Sequence, residues 1–304
     1  MKPLGKGSGA LADLARQALE RILDVLPETD GVDWSRHRAG RWRSGPVGGA
    51  LAPLGHLDPI ELTDLLGVDD QKAQLVANTE QFLRGFPANN ALLWGSRGTG
   101  KSSLVHAVLN RYAPDGLRLV EVDKEALRDV ATIVAYLDSE PYRYVLFCDD
   151  LSFEADDASY KALKSALEGS VFTQSENVLI YATSNRRHLL AEHMSDNTSA
   201  RHVDGELHEA EAVEEKISLS DRFGLWLSFY PFRQDDYLRV ARHWFERLGA
   251  DEGVAVRWDD STRQDALRWA LARGVRSGRT AFHFARQRIG AAALARSADG
   301  GRSS

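Results

Sequence analysis

From Ile60 onward, short apolar runs alternate along the chain with amphipathic segments. The apolar runs predict five buried strands, at residues 91–94, 117–122, 144–148, 178–182 and 224–232. Between them, apolar residues recur three and four positions apart, as at Val130, Ile133, Val134 and Leu137, and this spacing predicts helices. Strands that alternate with helices are typical of a parallel sheet covered by helices on both faces.

The pattern changes after Pro231, where apolar runs of strand length stop. One helical stripe follows, made of Tyr237, Val240, Ala241, Trp244, Phe245 and Leu248, and further helical segments continue toward Ala295. We therefore expect an α/β domain over residues 58–232 and a small all-helical lid domain over 233–296. The last residues, 297–304, read "SADGGRSS" and predict a disordered tail.

The first 57 residues do not fit either domain. Apolar spacing between Leu11 and Leu26 predicts an amphipathic helix, and the Gly-, Pro- and Arg-rich stretch after Pro27 predicts a flexible linker. Arginines at 36, 38, 41 and 43 lie among Trp34 and Trp42. These arginines are typical of a solvated connector, and the alternative is that the stretch binds nucleic acid or an acidic partner.

Composition and charge narrow the class of protein. The 304 residues carry 38 Lys plus Arg against 44 Asp plus Glu, a net charge of -6, which gives no general attraction to nucleic acid. A lone cysteine, Cys148, excludes an internal disulfide and a cysteine-based zinc cluster and fits a reducing compartment. No apolar run is long enough for a membrane helix, and charges interrupt the N-terminal stretch where a signal peptide would be apolar. We expect a cytoplasmic protein with no membrane segment.

A glycine-rich loop follows the first strand of the α/β domain. Gly95, Gly100, Lys101 and Ser102 fit the pattern G-x-x-x-x-G-K-[ST] between a strand and a helix. Glycines let consecutive backbone N–H groups curl around an anion, and the helix that follows adds the positive end of its dipole. The pattern predicts a site for ATP and Mg²⁺, and the alternative is a glycine-rich turn without a ligand. The candidate binding residues are Gly95, Ser96, Arg97, Gly98, Thr99, Gly100, Lys101, Ser102 and Ser103.

Two carboxylates follow a second buried strand. In "YRYVLFCDD", Asp149 and Asp150 come where a parallel strand emerges at the edge of the sheet that binds ligands. We expect Asp149, with the Ser102 hydroxyl, to hold Mg²⁺ and Asp150 to polarise the attacking water. Taken alone, such a pair also fits a helix cap or a turn.

With both elements placed, the chain resembles the AAA+ ATPases, in which a parallel-sheet nucleotide domain precedes a helical lid. The segments "LLGVDDQK", "NTEQFLRGFPANNALLWGSRGTGKSSLV", "FCDDLSFE" and "EEKISLSDRFGLWLSFYPF" resemble the bacterial AAA+ family catalogued as domain of unknown function 815. The resemblance runs from about Ile60 to Ala295. It implies a P-loop NTPase fold of the AAA+ type with ATPase activity.

The resemblance also implies three further site residues. In "IYATSNRRHL", Asn185 would orient the water beside the γ-phosphate; in "LSDRFGLWLSF", Arg222 would be offered to a neighbour's γ-phosphate; in "SGRTAFHF", Arg279 of the lid would sense the γ-phosphate. Their alternatives are a helix cap for Asn185, a surface pair with Asp221 for Arg222, and a surface position for Arg279, with Arg276 competing. An arginine supplied in trans implies a homo-oligomer.

Two features depart from the usual pattern or stay open. Most AAA+ members have Asp-Glu at the end of the metal strand, whereas this chain has Asp149-Asp150. The shorter side chain predicts slow hydrolysis, and the alternative is that Glu154 takes part. Between Asn185 and Arg222 lies a long acidic stretch with four histidines. A solvated loop that contacts a partner is favoured there over a metal site; the histidines are His188, His193, His202 and His208, near Asp204 and Glu206.

Together these features predict an AAA+ protein that hydrolyses ATP to drive a conformational switch on a protein client that the sequence does not identify. The segment after the second strand lacks the aromatic–glycine pair usual in threading motors, which argues against a motor that unfolds proteins processively. The alternatives are a nucleotide-gated adaptor with negligible hydrolysis and a DNA-associated ATPase acting through the arginine-rich stretch.

Overall fold

One mostly parallel sheet organises the α/β region. The computed structural model describes residues 31–45, 48–153, 158–167, 176–186, 219 and 221–300. Within those residues seven strands form the sheet, in the order β2-β1-β4-β5-β6-β3-β7. They are β1 (Ala39–Gly45), β2 (Gly48–Pro53), β3 (Ala91–Gly95), β4 (Leu117–Glu121), β5 (Arg143–Cys148), β6 (Val178–Ser184) and β7 (Leu225–Phe229). β1 and β2 pair antiparallel, and the other neighbouring strands are parallel.

Helices cover both faces of this sheet. Four α-helices of the described residues belong to the α/β region: α1 (Asp69–Leu83), α2 (Lys101–Tyr112), α3 (Val130–Leu137) and α4 (Ala158–Leu167). Short 3₁₀ helices occur at Leu62–Asp64, Ala113–Asp115 and Lys124–Asp129. Successive residues of a strand point to opposite faces, so Leu92 and Leu93 enter two different hydrophobic clusters. The predicted fold class, a P-loop parallel sheet flanked by helices and followed by helices, is confirmed.

Three helices follow the last strand: α5 (Gln234–Asp251), α6 (Asp260–Ala272) and α7 (Gly278–Gly300). The stripe predicted on α5 faces inward, with Tyr237, Val240, Ala241 and Phe245 buried. These side chains belong to the same hydrophobic cluster as Leu93 and Phe229 of the sheet. The helical region thus packs against the α/β region through a continuous apolar core.

The prediction of a flexible linker before residue 58 is wrong over residues 39–45 and 48–53, which form the hairpin β1–β2. β1 joins the edge of the sheet beside β4. Trp42 is 3% exposed, and a methyl group added to Gly49 would lie 2.1 Å from its ring. Gly49, one of the glycines that suggested a flexible linker, is therefore needed for close packing against Trp42.

The same hairpin also argues against nucleic-acid binding by the arginine-rich stretch. Trp34 and Trp42 are both 3% exposed, so neither ring is available to stack on a base. Arg41 donates to Glu121 of β4 at 2.5 Å, which leaves less free positive charge on this surface. The predicted N-terminal helix over Leu11 to Leu26 lies outside the described residues.

At the C-terminal end, the prediction of a disordered tail from residue 297 is wrong for its first four residues. Residues 297–300 continue helix α7, and the Ser297 hydroxyl donates to Ala293 O at 3.0 Å. The helical backbone of an alanine-rich segment continues here despite a composition typical of frayed ends. Residues 301–304 lie outside the described part of the chain. None of the described helices combines the length and the apolar character that crossing a membrane requires.

Candidate functional site

The loop after β3 has a backbone shape that only glycines adopt without strain. Gly95, Gly98 and Gly100 have φ values of 128°, 73° and 101°. A methyl group on Gly95 would lie 2.0 Å from Phe229 O, and the neighbouring Ser96 N donates to that same oxygen at 2.9 Å. β7 therefore holds the start of the loop in place. Helix α2 begins directly after Gly100, so its N-terminus faces the inside of the loop.

Lys101 places a positive charge in this loop. The residue is 6% exposed, and its Nζ donates to Gly95 O at 2.9 Å, Ser96 O at 2.8 Å and Asn185 Oδ1 at 3.2 Å. Burial lowers the pKa of Lys101, and the negative charges of Asp150 and Asp149 oppose that shift. A buried ammonium group with short-range oxygen partners is well placed to bind an anionic group entering the loop.

The two predicted metal ligands lie together. The Ser102 hydroxyl donates to Asp149 Oδ1 at 2.6 Å, and the Thr183 hydroxyl donates to the same oxygen at 2.5 Å. Hydroxyl and carboxylate oxygens are the donors that Mg²⁺ prefers, so this set fits the expected ion. Ser102 and Asp149 are the residues that would hold it. No group of three or more His, Cys, Asp or Glu suitable for a metal occurs among the described residues.

Asp150 adopts an uncommon backbone conformation beside them. Its φ is 51°, in the left-handed region. Asp150 N donates to Thr183 Oγ1 at 2.9 Å, and its carboxylate accepts a hydrogen bond from Asn185 Nδ2. Asn185 therefore joins Lys101 to Asp150, and the polar residues at the ends of β5 and β6 form one connected network with the loop. Glu154, the alternative water-activating residue, lies outside the described residues.

The helical region closes over the loop. Arg279 N, at the start of α7, donates to Gly98 O at 3.1 Å. Arg279 lines a cavity of about 800 Å³ between the edge of the sheet and the helices, whereas Arg276 does not. The cavity walls include Arg97 to Ser103, Asp149, Asp150, Thr183 and Asn185 from the α/β region, and Val240, Trp244 and Phe282 from the helices.

Arg222 does not reach this site in its own chain. β3 and β7 are parallel, with Ala91 level with Leu225 and Gly95 level with Phe229. The phosphate loop leaves the C-terminal end of β3 at Gly95, whereas Arg222 precedes the N-terminal end of β7. The two residues therefore lie at opposite ends of the parallel strands. The two ends of the strands are separated by about 13 Å. Arg222 does not line the cavity. The geometry keeps Arg222 away from the loop of the chain that carries it. The histidines at 188, 193, 202 and 208 lie outside the described residues.

Residues 35–292, well over half of the chain, match the sequence model of a family described as "Protein of unknown function (DUF815)". The chain belongs to the DUF815 family. The resemblance inferred from its motifs is thereby confirmed, and its α/β region followed by helices is the arrangement expected of an AAA+ protein.

Known proteins with similar segments or folds share only part of this DUF815 chain. It is 38% identical over 71 residues to the replication factor C large subunit of Staphylothermus marinus, which covers 23% of the chain and 16% of the relative. Its fold is similar to that of the Thermotoga maritima RuvB Holliday junction branch migration motor (TM-score 0.48, 17% identity, 75% of this chain and 63% of that one). It is also similar to the Aeropyrum pernix Orc1 protein in complex with DNA (TM-score 0.49, 17% identity, 72% and 58%). The chain thus spans less than two thirds of the length of each.

Sequence reasoning missed two groups of residues in the DUF815 site. Thr183 bonds both carboxylate-bearing residues. It lies on β6, and Asn185 directly follows that strand, so this position two residues before Asn185 was a signal that could have identified it. Asp64 also lines the cavity and bonds His243 and Arg247 of α5. No local pattern identifies that cluster, because 179 residues separate Asp64 from His243.

Proposed function

We propose that this protein binds ATP with Mg²⁺ in the cavity between the sheet and the helices and hydrolyses it to ADP and phosphate. The observation that carries the proposal is the convergence of Lys101, Ser102, Asp149, Asp150 and Asn185 on one glycine loop. These residues come from three separate strand ends, and their bonds connect them into one network. A glycine-rich turn without a ligand does not require a buried lysine or paired carboxylates.

Each side chain has a definite part in the proposed reaction. The loop amides and Lys101 bind the phosphates, and bound Mg²⁺ would neutralise charge on them. Asp150 orients the attacking water and accepts its proton, while Asn185 holds the Asp150 carboxylate in position. Arg279 contacts the terminal phosphate from the helical side, so loss of that phosphate changes how the helices rest on the loop.

Arg222 completes the site from a second copy in this proposal. Arg222 lies at the far end of the parallel strands from its own phosphate loop, which supports assigning its guanidinium to the phosphate of a neighbouring protomer. An arginine of this kind stabilises charge that develops on the transferred phosphoryl group. The proposed active unit is therefore a homo-oligomer whose contacts depend on nucleotide and shift a client protein between states.

Titration of the purified protein with Mg-ATP and Mg-ADP, followed by measurement of phosphate release, tests the proposal. We expect saturable binding and continuous turnover in the wild type and neither in Lys101→Ala. Lys161→Ala, an exposed lysine on α4 outside the cavity, is the matched control and retains both. Absence of nucleotide binding by the wild type contradicts the proposal.

Two features of Asp150 favour a second candidate, a nucleotide-gated adaptor. Asp150 has one methylene fewer than the glutamate usual at this position, and its carboxylate already bonds Asn185. Both features limit its reach toward a water. Tight binding of ATP with sub-stoichiometric phosphate release over hours supports the adaptor, whereas release of many equivalents supports the ATPase. A DNA-associated ATPase is not favoured, since both tryptophans of the arginine-rich stretch are buried.

A further inference from the structure

A buried carboxylate lies where the α/β region meets the helical region. Asp64 ends the 3₁₀ helix Leu62–Asp64 and is 2% exposed. Its Oδ2 accepts a hydrogen bond from Glu61 N at 2.8 Å, which closes its own turn. A buried charge of this kind is costly unless other groups pair with it.

The partners of Asp64 Oδ1 both come from helix α5. His243 Nε2 lies 2.8 Å from this oxygen, and Arg247 Nη1 forms a salt bridge with it. The two residues are four positions apart and therefore share one face of the helix. Two donors from one helix face that meet one oxygen fix both the position and the rotation of α5 against the turn. Removal of these contacts would leave a buried carboxylate with fewer partners for its charge.

This cluster also borders the proposed nucleotide cavity. Asp64 and Arg247 line it, together with Trp244, whose ring lies 5.5 Å from the Arg247 guanidinium and 4.8 Å from the Phe282 ring. The residue after Asp64 reaches the phosphate loop, since a methyl group on Gly100 would lie 3.6 Å from Leu65 Cδ2. The cluster thus connects the phosphate loop to helix α5.

The helical region also contacts the phosphate loop at a second point, through a backbone hydrogen bond instead of charged side chains. Arg279 N donates to Gly98 O at 3.1 Å, so the start of α7 contacts the phosphate loop directly. Arg279 is the group assigned above to the terminal phosphate. The charges of Asp64 and Arg247 compensate each other, His243 adds a hydrogen bond, and the carboxylate has hydrogen bonds at both oxygens.

We infer that Asp64, His243 and Arg247 form a latch that holds the helical region in position over the cavity. The latch makes binding of ATP and ADP stronger to the same extent, because its contacts set the cavity wall and involve no phosphate. Discrimination between the two nucleotides belongs to Arg279. The effect on nucleotides rests on the proposed function, whereas the effect on the position of the helices does not.

A distance measurement between the two regions tests the latch without any nucleotide. Spin labels at Gln74→Cys on α1 and Gln264→Cys on α6 use exposed positions. The native Cys148 stays unlabelled, since burial raises the pKa of its thiol to about 12. We expect one narrow distance distribution in the otherwise wild-type chain, and a broadened or shifted one in Asp64→Asn and in the milder His243→Gln. An unchanged distribution in both variants overturns the latch.

Nucleotide affinities supply the second measurement. In Asp64→Asn and Arg247→Met we expect the Kd of ATP and of ADP to rise together by roughly tenfold, with their ratio unchanged. The double variant loses no more than the single ones, because the residues act as a unit. Arg242→Met is the control on the same helix: Arg242 pairs with Glu246 at 2.7 Å, lies outside the cavity and leaves both affinities unchanged.

The outcomes separate the two proposals. Loss of ATP binding alone, or additive losses in the double variant, contradicts the latch and leaves the nucleotide site intact. Failure of the wild type to bind either nucleotide contradicts the proposed function, and the distance distributions then decide the latch by themselves.

Discussion

The hydroxyl of Thr183 donates to Asp149 Oδ1 at 2.5 Å and accepts a hydrogen bond from Asp150 N at 2.9 Å. One buried side chain on β6 thereby fixes the carboxylate expected to hold Mg²⁺ and the backbone of the residue expected to act on water. The second bond holds Asp150 in its left-handed conformation, with φ of 51°. Thr183 is therefore a positioning residue for both aspartates.

Replacement of this hydroxyl tests that role. We expect Thr183→Val to keep the shape of the side chain and to lower kcat for ATP by about 10–100-fold, the usual effect of losing a partner of a metal ligand. Nucleotide affinity without Mg²⁺ stays close to the wild-type value, because Lys101 and the loop amides are untouched. Thr183→Ser keeps the hydroxyl and restores most of the activity. Equal loss in both variants argues for a packing role alone.

A mixing experiment tests the proposed transfer of Arg222 between protomers. We expect Arg222→Ala to bind ATP normally and to hydrolyse it about 10³-fold more slowly. Lys101→Ala is inactive for a different reason, since it does not bind nucleotide. Mixing the two inactive variants creates interfaces with an intact Lys101 on one side and an intact Arg222 on the other. We expect roughly a quarter of wild-type phosphate release from a heterologous assembly of this kind. No recovery on mixing, in oligomers shown to exchange subunits, contradicts a role in trans.

The buried Asp64 predicts a dependence of stability on pH. Burial tends to raise the pKa of Asp64, but hydrogen bonds from Arg247, Glu61 N and His243 outweigh it and hold the pKa below its ordinary value. A carboxyl with a lowered pKa in the folded state stabilises the protein above its unfolded pKa of about 3.9, and this stabilisation is lost as pH falls through the folded value. Asp64→Asn should lower the free energy of unfolding by about 1–3 kcal/mol at pH 7, because it weakens the charge-assisted hydrogen bond from Arg247.

Urea unfolding between pH 7 and 3 measures this effect. The difference between wild type and Asp64→Asn should shrink as the pH falls below about 4. Asp70→Asn, an exposed aspartate on α1, is the charge-matched control. A difference that stays constant over the whole range would show that the charge of Asp64 does not stabilise the fold.

The hairpin β1–β2 should behave as part of the folded unit. Trp42 is 3% exposed, packs against Gly49 and donates from Nε1 to Asp129 Oδ2 at 3.0 Å. We expect Trp42→Ala to lower the free energy of unfolding by about 3–5 kcal/mol in urea. The exposed neighbour Arg43 changes it by less than about 0.5 kcal/mol on replacement by alanine. An unchanged urea midpoint in Trp42→Ala would restore the interpretation of this stretch as a linker.

Much of the fold was predictable because its signals are local. The run from Tyr144 to Cys148 is apolar without interruption, and such a run is typical of a strand buried on both faces. β5 indeed covers Arg143–Cys148 with five buried residues. The hairpin was missed for the opposite reason. Glycine and proline at 40, 45, 46, 48 and 49 indicate a loop by composition, whereas the structure uses the small size of Gly49 to admit the Trp42 ring.

By itself the sequence determined the phosphate loop, since Gly95 to Ser102 are contiguous and the backbone conformation that glycine permits is a local property. It also determined the strands and helices whose apolar spacing is regular. Only the tertiary structure decided that Thr183 meets Asp149 and that Asp64 meets Arg247. These pairs lie far apart along the chain and come together because parallel strands end at one edge of the sheet and α5 packs across it. Contacts of this kind depend on how whole elements pack, which no short stretch of residues encodes.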